Sequence, residues 1–291
     1  MSLWKTYHIA QSTEDALRAL RDAPGPAQII AGGTDLLLDM QQGRHSAIHT
    51  LVDVNEIPGM THLEERDGEL FIGASVPHKH ITQSELVRSH AEALSTASGL
   101  IGGPQVRNTA TIGGNVAHAL PAADGTIALL ALDARAETVS TSGIRQLPIA
   151  DLFQGPGEST LSPLEEILHG FRIALRKQGQ ASAFNRIMRP QGVAIAILNL
   201  GAWVEMDGPV VVDVRIAVGP SGPVPRRMRG AEEVLKGKTL GPDAIAAAYD
   251  CVVDEATLRT SKHRATKEYR QDMVRVLLEK TLSEAASRAA R

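Results

Sequence analysis

The sequence predicts an α+β protein in two parts: an N-terminal domain over residues 1–160, itself of two lobes (about 1–56 and 57–160), and a smaller domain of sheet and helices over 165–291. Three observations predict it. In the first half, short apolar runs of strand length alternate with stretches of helical pattern. A Gly-, Pro-, Ser- and Thr-rich interval, Phe153 to Pro163, reads as a linker or hinge between the halves. In the second half, long strand-like runs around an Asp-Gly turn give way to helical periodicity that lasts to the C-terminus.

Each element has a local reason. Ser12-Thr13-Glu14-Asp15 ahead of Ala16-Leu17-Arg18-Ala19-Leu20 places a serine cap with an acid three residues on, which starts a helix. Ala23-Pro24-Gly25-Pro26 ends it. Gln28-Ile29-Ile30 and Leu51-Val52-Asp53-Val54 read as buried strands, with a helix over Leu36–Met40 between them. Leu70–Gly73 opens the second lobe. Ser84 to about Ser98 reads as one helix, Gly99 to Asn115 as a long glycine-rich segment, and Asp124 to Leu132 as an apolar helix. Glu137–Val139, Leu147–Ile149 and Ile167–Leu175 read as strands. Val193–Met206 and Val210–Val218 flank Asp207-Gly208, a hairpin signal. Helical stretches near Ala231–Leu235, Asp243–Glu255 and Lys267–Ala290 close the chain, and in the last one Tyr269, Met273, Val276 and Leu277 keep helical spacing.

Composition excludes several functions. The 291 residues are 43% hydrophobic and carry a formal net charge of −3, so nothing marks a nucleic-acid or anionic-membrane surface. The single cysteine, Cys251, rules out an internal disulfide, a self-contained iron–sulfur cluster and a cysteine-based zinc site. Its apolar helical surroundings read as those of a buried structural thiol. The longest apolar runs, Val193–Leu198 and Ile127–Leu132, fall far short of the ~20 residues of a membrane span. Met1–Lys5 lacks the apolar region of a signal peptide, so a cytoplasmic location is expected.

Chemistry concentrates in two glycine loops. Ile29-Ile30-Ala31-Gly32-Gly33-Thr34-Asp35-Leu36 runs from a strand into a helix. Amides at such a start are unpaired, and glycines let an anion approach the backbone, so the loop reads either as a phosphate cradle or as a plain turn capped by Thr34. It is neither G-x-G-x-x-G nor a P-loop. The second loop is Asn108-Thr109-Ala110-Thr111-Ile112-Gly113-Gly114-Asn115, followed by Pro121-Ala122-Ala123-Asp124. Asp124 is either a helix cap or an acceptor for ligand hydroxyls. Two separate loops on one diphosphate suit a dinucleotide.

These loops, with Gln105-Val106-Arg107 leading into the second and Ala128–Ala134 after Asp124, resemble the FAD-binding medium subunit of the molybdenum hydroxylases (xanthine dehydrogenase, carbon monoxide dehydrogenase and aldehyde oxidoreductase type). The resemblance spans nearly the whole chain. It implies a two-lobed FAD-binding domain of the vanillyl-alcohol-oxidase-like (PCMH-type) class. It also implies that both loops, Ile29–Leu36 and Thr111–Asn115, hold the FAD diphosphate largely through backbone amides, that Asp124 bonds the FAD chain, and that Leu168 and Asn185 lie at the FAD pocket. Some relatives have Lys at the Asn185 position and an acid at Gly192, so flavin potential and acceptor access are expected to differ here. The implied partners are a molybdenum-cofactor large subunit, which binds the substrate, and a [2Fe–2S] small subunit, with FAD passing electrons to an acceptor such as NAD and the whole forming a heterotrimer.

Other residues have plainer readings. His78 and His80 are too few for a metal site. Arg107 either pins its loop through carbonyls or meets phosphate. His118 lies close to the second loop. Arg226, Arg227 and Arg229 read as a solvated hinge. A stand-alone flavin oxidase lacks a His or Tyr base beside the loops, and a flavin-free scaffold protein is disfavoured because both glycine loops are intact. A relative with an extra cluster-binding insertion, as in benzoyl-CoA-type reductases, would need several cysteines.

Overall fold

The computed structural model describes residues 3–189 and 195–291; Gly192 and the expected strand start at Val193 lie outside them. The first lobe is built from β1 (Thr6–Ile9), α1 (Thr13–Arg21), β2 (Ala27–Ile30), α2 (Leu36–Gln41) and β3 (Thr50–Asp53), with the strands parallel in the order β1-β3-β2. Central β3 is paired on both edges, so Leu51 and Val52 are fully buried. Ser12 caps α1 as its sequence indicates, its Oγ accepting from the Asp15 amide at 3.1 Å. Strand β1 has no apolar signature because Tyr7 and Ile9 face outward.

The second lobe begins with β4 (Leu63–Arg66) and β5 (Glu69–Gly73). Six helices follow: α3 (His78–Gln83), α4 (Glu85–His90), α5 (Glu92–Leu100), α6 (Pro104–Thr109), α7 (Ile112–Ala117) and α8 (Asp124–Ala131). Then come β6 (Arg135–Ser140), β7 (Gly143–Pro148), the short pair β8 (Phe153–Gly155) and β9 (Glu158–Ser159), and β10 (Glu166–Ala174). The single helix expected over 84–98 is broken at Ala91, whose φ of −141° and ψ of 51° leave the helical region. The interval 153–163 is not a free hinge: β8 and β9 pair, Phe153 is buried, and the Gly157 amide donates to the Ala119 carbonyl.

Strand β10 also moves the domain boundary expected at 160–165. It lies between β5 and β6 in a sheet of order β4-β5-β10-β6-β7, antiparallel to both neighbours. Its Ile167, Leu168, Phe171 and Ile173 complete the N-terminal core, so the boundary falls after Ala174.

The C-terminal unit has four antiparallel strands, β11 (Gln180–Ile187), β12 (Leu198–Asp207), β13 (Val210–Gly219) and β14 (Arg226–Arg227), in sequential order. Helices α9 (Arg229–Leu235), α10 (Pro242–Glu255) and α11 (Lys267–Ala289) follow. The hairpin between β12 and β13 forms where Asp207-Gly208 predicts it, with Gly208 in the left-handed region at φ 56°. Strand alternation gives the sheet two apolar faces. Leu198, Leu200, Ala202 and Val204 join the core under α9 to α11, whereas Phe184, Trp203 and Ala217 join the N-terminal core on the side of α5 and α8. The buried stripe of α11 is Arg270, Val274, Leu277, Leu278, Thr281, Leu282 and Ala285. Tyr269 and Val276, which keep helical spacing with Leu277, are exposed on the flank of that stripe. Cys251 is half-buried on α10, and burial with Glu255, Asp254 and Asp250 pushes its thiol pKa up, the reverse of an activated thiolate.

The arginines at 226–229 are not a solvated hinge. Buried Arg227 donates to Glu232 through Nε at 2.7 Å and Nη2 at 2.8 Å, and to Asp133 at 2.7 Å just past α8. Arg226 donates to the Glu255 carbonyl. The bidentate geometry and the backbone amide of Ile216, which also donates to Glu232, explain why a charge can be buried here. Replacing Glu232 with Ala removes the bidentate partner of Arg227, leaving it only the solvent-exposed Asp133, and is expected to cost about 3–5 kcal/mol in denaturant unfolding. Arg229→Ala, at an exposed side chain, is expected to change stability by no more than about 0.5 kcal/mol.

Candidate functional site

The two glycine loops lie side by side. Loop 1 leaves β2 at Ile30 and enters α2 at Leu36. Ile29 packs against the main N-terminal core, while Ile30 and Leu36 anchor the loop in a small apolar cluster with Met40, Ile48 and Leu51. Asn55 fixes its start, donating to the Ala31 carbonyl at 3.1 Å and to Asp53 at 2.7 Å. Gly33 takes φ 65°, and the Gly33 and Asp35 carbonyls accept the first α2 amides, from Leu37 and Asp39. Among the described residues, the amides of Gly32, Gly33, Thr34 and Asp35 donate to no protein group.

Loop 2 differs from the expectation that its amides are also free. Ile112 and Gly113 donate to the carbonyls of Val76 and Ala74, at 3.1 and 2.8 Å. The Gly114 amide donates to Thr111 Oγ1 at 3.1 Å, and the Asn115 amide to the Thr111 carbonyl at 3.0 Å. Thr111 is therefore the buried cap of α7, and the loop's amides hold the loop itself. What it exposes is the backbone of Gly114; the Asn115 side chain turns inward, its Oδ1 buried beside Gly125 of α8 without a hydrogen-bond partner. Loop 1 meets the end of α6 so closely that a Cβ on Gly32 would stand 2.2 Å from the Thr109 carbonyl oxygen. His118, at the end of α7, brings Nδ1 to 3.6 Å from Asp35 Oδ2.

The remaining expected residues divide. Asp124 begins α8 and is 6% exposed. Its oxygens accept from Arg186 Nη1 at 2.5 Å and Asn199 Nδ2 at 2.6 Å, and burial pushes its pKa up against the pull of those partners. Asp124 thus joins the N-terminal domain to the C-terminal sheet through both of its oxygens. Asn185 is taken elsewhere: its Nδ2 donates to Glu284 at 2.9 Å and Thr281 at 3.3 Å on α11. Alternation along β11 puts Asn185 and Arg186 on opposite faces, so Arg186 carries the positive charge on the α8 side. Sequence reasoning missed Arg186, because the Ala-Ser-Ala-Phe-Asn-Arg-Ile run of β11 shows no strict alternation and all of 181–184 is buried. Leu168 is buried in the core that also holds Ile112 and Val116 of α7.

Arg107 pins its own segment, donating to the Ile101 and Gly102 carbonyls at 3.0 and 2.8 Å. His78 is fully buried, and burial and the charge of Arg107 push its pKa down to about 4. No group of His, Cys, Asp and Glu that could hold a metal occurs among the described residues. A cavity of about 540 Å³ between the β12–β13 turn, α10 and α11 shares no residue with the loops.

A strand-to-helix loop with free amides, abutting a second glycine loop, has the form of a phosphate-binding seat. The family model described as the FAD binding domain in molybdopterin dehydrogenase matches residues 3–174, and that of the CO dehydrogenase flavoprotein C-terminal domain matches 182–285. The chain belongs to this family of FAD-binding molybdenum hydroxylase subunits, oxidoreductase components whose cofactor is FAD. It is 31% identical over 288 residues to the xanthine dehydrogenase FAD-binding subunit of Escherichia coli O157:H7, covering 98% of this chain and 97% of that one. It is 35% identical over 286 residues to the 6-hydroxypseudooxynicotine dehydrogenase complex subunit alpha of Paenarthrobacter nicotinovorans, covering 97% and 95%. The carbon monoxide dehydrogenase structure from Hydrogenophaga pseudoflava aligns with a TM-score of 0.92 at 26% identity, covering 98% of each chain. Among the described residues no helix is long and apolar enough to cross a membrane.

The residues present fit an anionic dinucleotide: four adjacent unpaired amides on loop 1, beside an exposed Gly114 with no side chain to block a bulky anion. Gly32→Ala forces the loops apart and is expected to weaken FAD binding by at least about tenfold in a fluorescence titration. Gly241→Ala, where a Cβ meets open space, is expected to leave FAD binding unchanged.

Proposed function

We propose that loop 1 seats the FAD diphosphate on the amides of Gly32, Gly33, Thr34 and Asp35, and that loop 2 completes the seat with Gly114 and Asn115. The observation that carries this reading is the row of unpaired loop 1 amides beside a second glycine loop whose own amides are satisfied. Leu168 belongs to the apolar support beneath loop 2. Asp124, through Arg186 and Asn199, and Asn185, through Glu284 and Thr281, act at one remove by holding the C-terminal sheet in place.

In this reading the chain is an electron-transfer subunit. Electrons arrive from the [2Fe–2S] clusters of a small subunit, a molybdenum-cofactor large subunit carries out the substrate chemistry, and an external acceptor such as NAD takes the electrons away. FAD supplies the redox chemistry; the protein supplies binding and electrostatics. The single cysteine supports separate partners, because the chain cannot ligate a cluster itself. The match to relatives along nearly the full length supports the same division of labour. A cytoplasmic location is part of the proposal.

The test is the visible absorption spectrum of the purified chain after incubation with FAD and removal of the excess, alone and with co-expressed partner subunits. Flavin bands retained in proportion to protein are expected, together with co-purification of one large and one small subunit. Absence of bound flavin in both preparations would refute the reading.

A further inference from the structure

A diphosphate seat usually draws on Lys or Arg, and neither glycine loop has one. Residues 29–39 and 111–120 contain no Lys or Arg. Arg107, the nearest candidate in sequence, is committed to carbonyls. Loop 1 instead carries an acid at the end of its free amides. The Asp35 side chain is 65% exposed, in the position from which a carboxylate most opposes a bound anion. The one ion-pair partner of Asp35 among the described residues is His118.

We infer that His118 is the counter-charge of loop 1: protonated, it cancels Asp35 and allows the loop to accept an anionic cofactor, so that FAD binding takes up a proton. The inference rests on the proposal that FAD occupies these loops. His118 closes α7, its amide donating to the Gly114 carbonyl at 3.1 Å, and its ring reaches across to the first residue before α2. It therefore links the two loops as well as balancing their charge, which makes it a positioning residue.

The electrostatic surroundings are simple. From α2 the ring meets Asp35 and, further off, Asp39, which is itself paired with Arg44 at 2.7 Å. On the elements packed against α7, Asp124 of α8 is paired with Arg186, and on β10 Glu166 is paired with Arg145, His169 with Glu137 and Arg172 with Glu137 and Asp67; the β8–β9 turn, whose Gly157 amide donates to the Ala119 carbonyl, adds Glu158. The approach of Asp35 raises the His118 pKa, with burial opposing, and the same contact lowers that of Asp35. His118 is therefore charged below a pKa that stands above the ordinary histidine value, and neutral above it. A bound diphosphate raises that pKa further. Affinity is thus highest at low pH, falls as pH rises from the free His118 pKa to the bound one, and levels off beyond it.

The experiment measures FAD dissociation constants of the full chain by flavin fluorescence from about pH 5.5 to about pH 9 at fixed ionic strength. Calorimetry in buffers of different ionisation heat counts the protons taken up. The wild-type chain is expected to lose about five- to tenfold in affinity across the window, with net proton uptake inside it. His118→Asn is expected to bind with the weak, high-pH affinity at every pH. Adding Asp35→Asn to that variant is expected to recover most of the loss, which a purely structural link between loops would not do. FAD binding with a flat profile and no proton uptake, which needs no variant to observe, would overturn this inference alone. A double variant no better than His118→Asn would do the same. FAD failing to bind at every pH would overturn the cofactor reading and this inference together.

Discussion

Backbone meets backbone where Gly32 lies against the Thr109 carbonyl, with no room for a side chain between. That approach depends on glycine at one position and on the packing of α6 against α3 and of α7 against α8 and β10 on the other side. Gly113 makes the second close approach, to the Ala74 backbone, so that loop 2 is clamped to the start of the α3 segment. The site is thus a seam between two lobes, each of which presents a turn of chain rather than a set of side chains. Removing either contact would leave two ordinary strand-to-helix turns.

The two loops carry different work. Loop 2 satisfies its own amides on Ala74, Val76 and Thr111 and is rigid because of it. Loop 1 leaves its amides open, which costs free energy unless water or a ligand takes them. An asymmetry of this kind suits a site in which one wall is fixed and the other is completed by the cofactor. It also explains the electrostatics, since a seat made of backbone dipoles has no fixed charge of its own and is sensitive to a single nearby pair such as Asp35 and His118.

A second seam joins the domains. The C-terminal sheet lies between α5 and α8 on one face and α9, α10 and α11 on the other, so it cannot fold apart from the helices of the second lobe without exposing Phe184 and Trp203. Polar pairs fix its register on α8. Asp124 with Arg186 and Asn199 stands at one end, and Arg227 with Asp133 and Glu232 at the other. Buried charge pairs are poor sources of net stability but good sources of specificity, because a slip in either would strand a charge. The Arg186 pairing thereby sets which face of β11 looks toward the loops.

Much of this was legible in the chain. The Ser12 cap, the helices after residue 229, the Asp-Gly hairpin and both glycine loops follow from local chemistry: caps, turns and left-handed glycines act over a few residues, so their signals stay in the sequence. The count of one cysteine, which rules out an internal disulfide and a self-contained iron–sulfur cluster, needs no structure at all. Tertiary structure decided the rest. Strand β10 could be read as a strand, but its place between β5 and β6 depends on one partner about a hundred residues back in the chain and another about thirty. The free amides of loop 1 and the satisfied ones of loop 2 share the same glycine pairs, and only the neighbouring chain tells them apart. Asn185 and Arg186 adjoin in sequence yet serve opposite faces of a sheet. Arg227 became a buried tie because Glu232 and Asp133 converge on it. In each case the deciding term is a long-range contact that satisfies or strands a polar group, and no local pattern records which it will be.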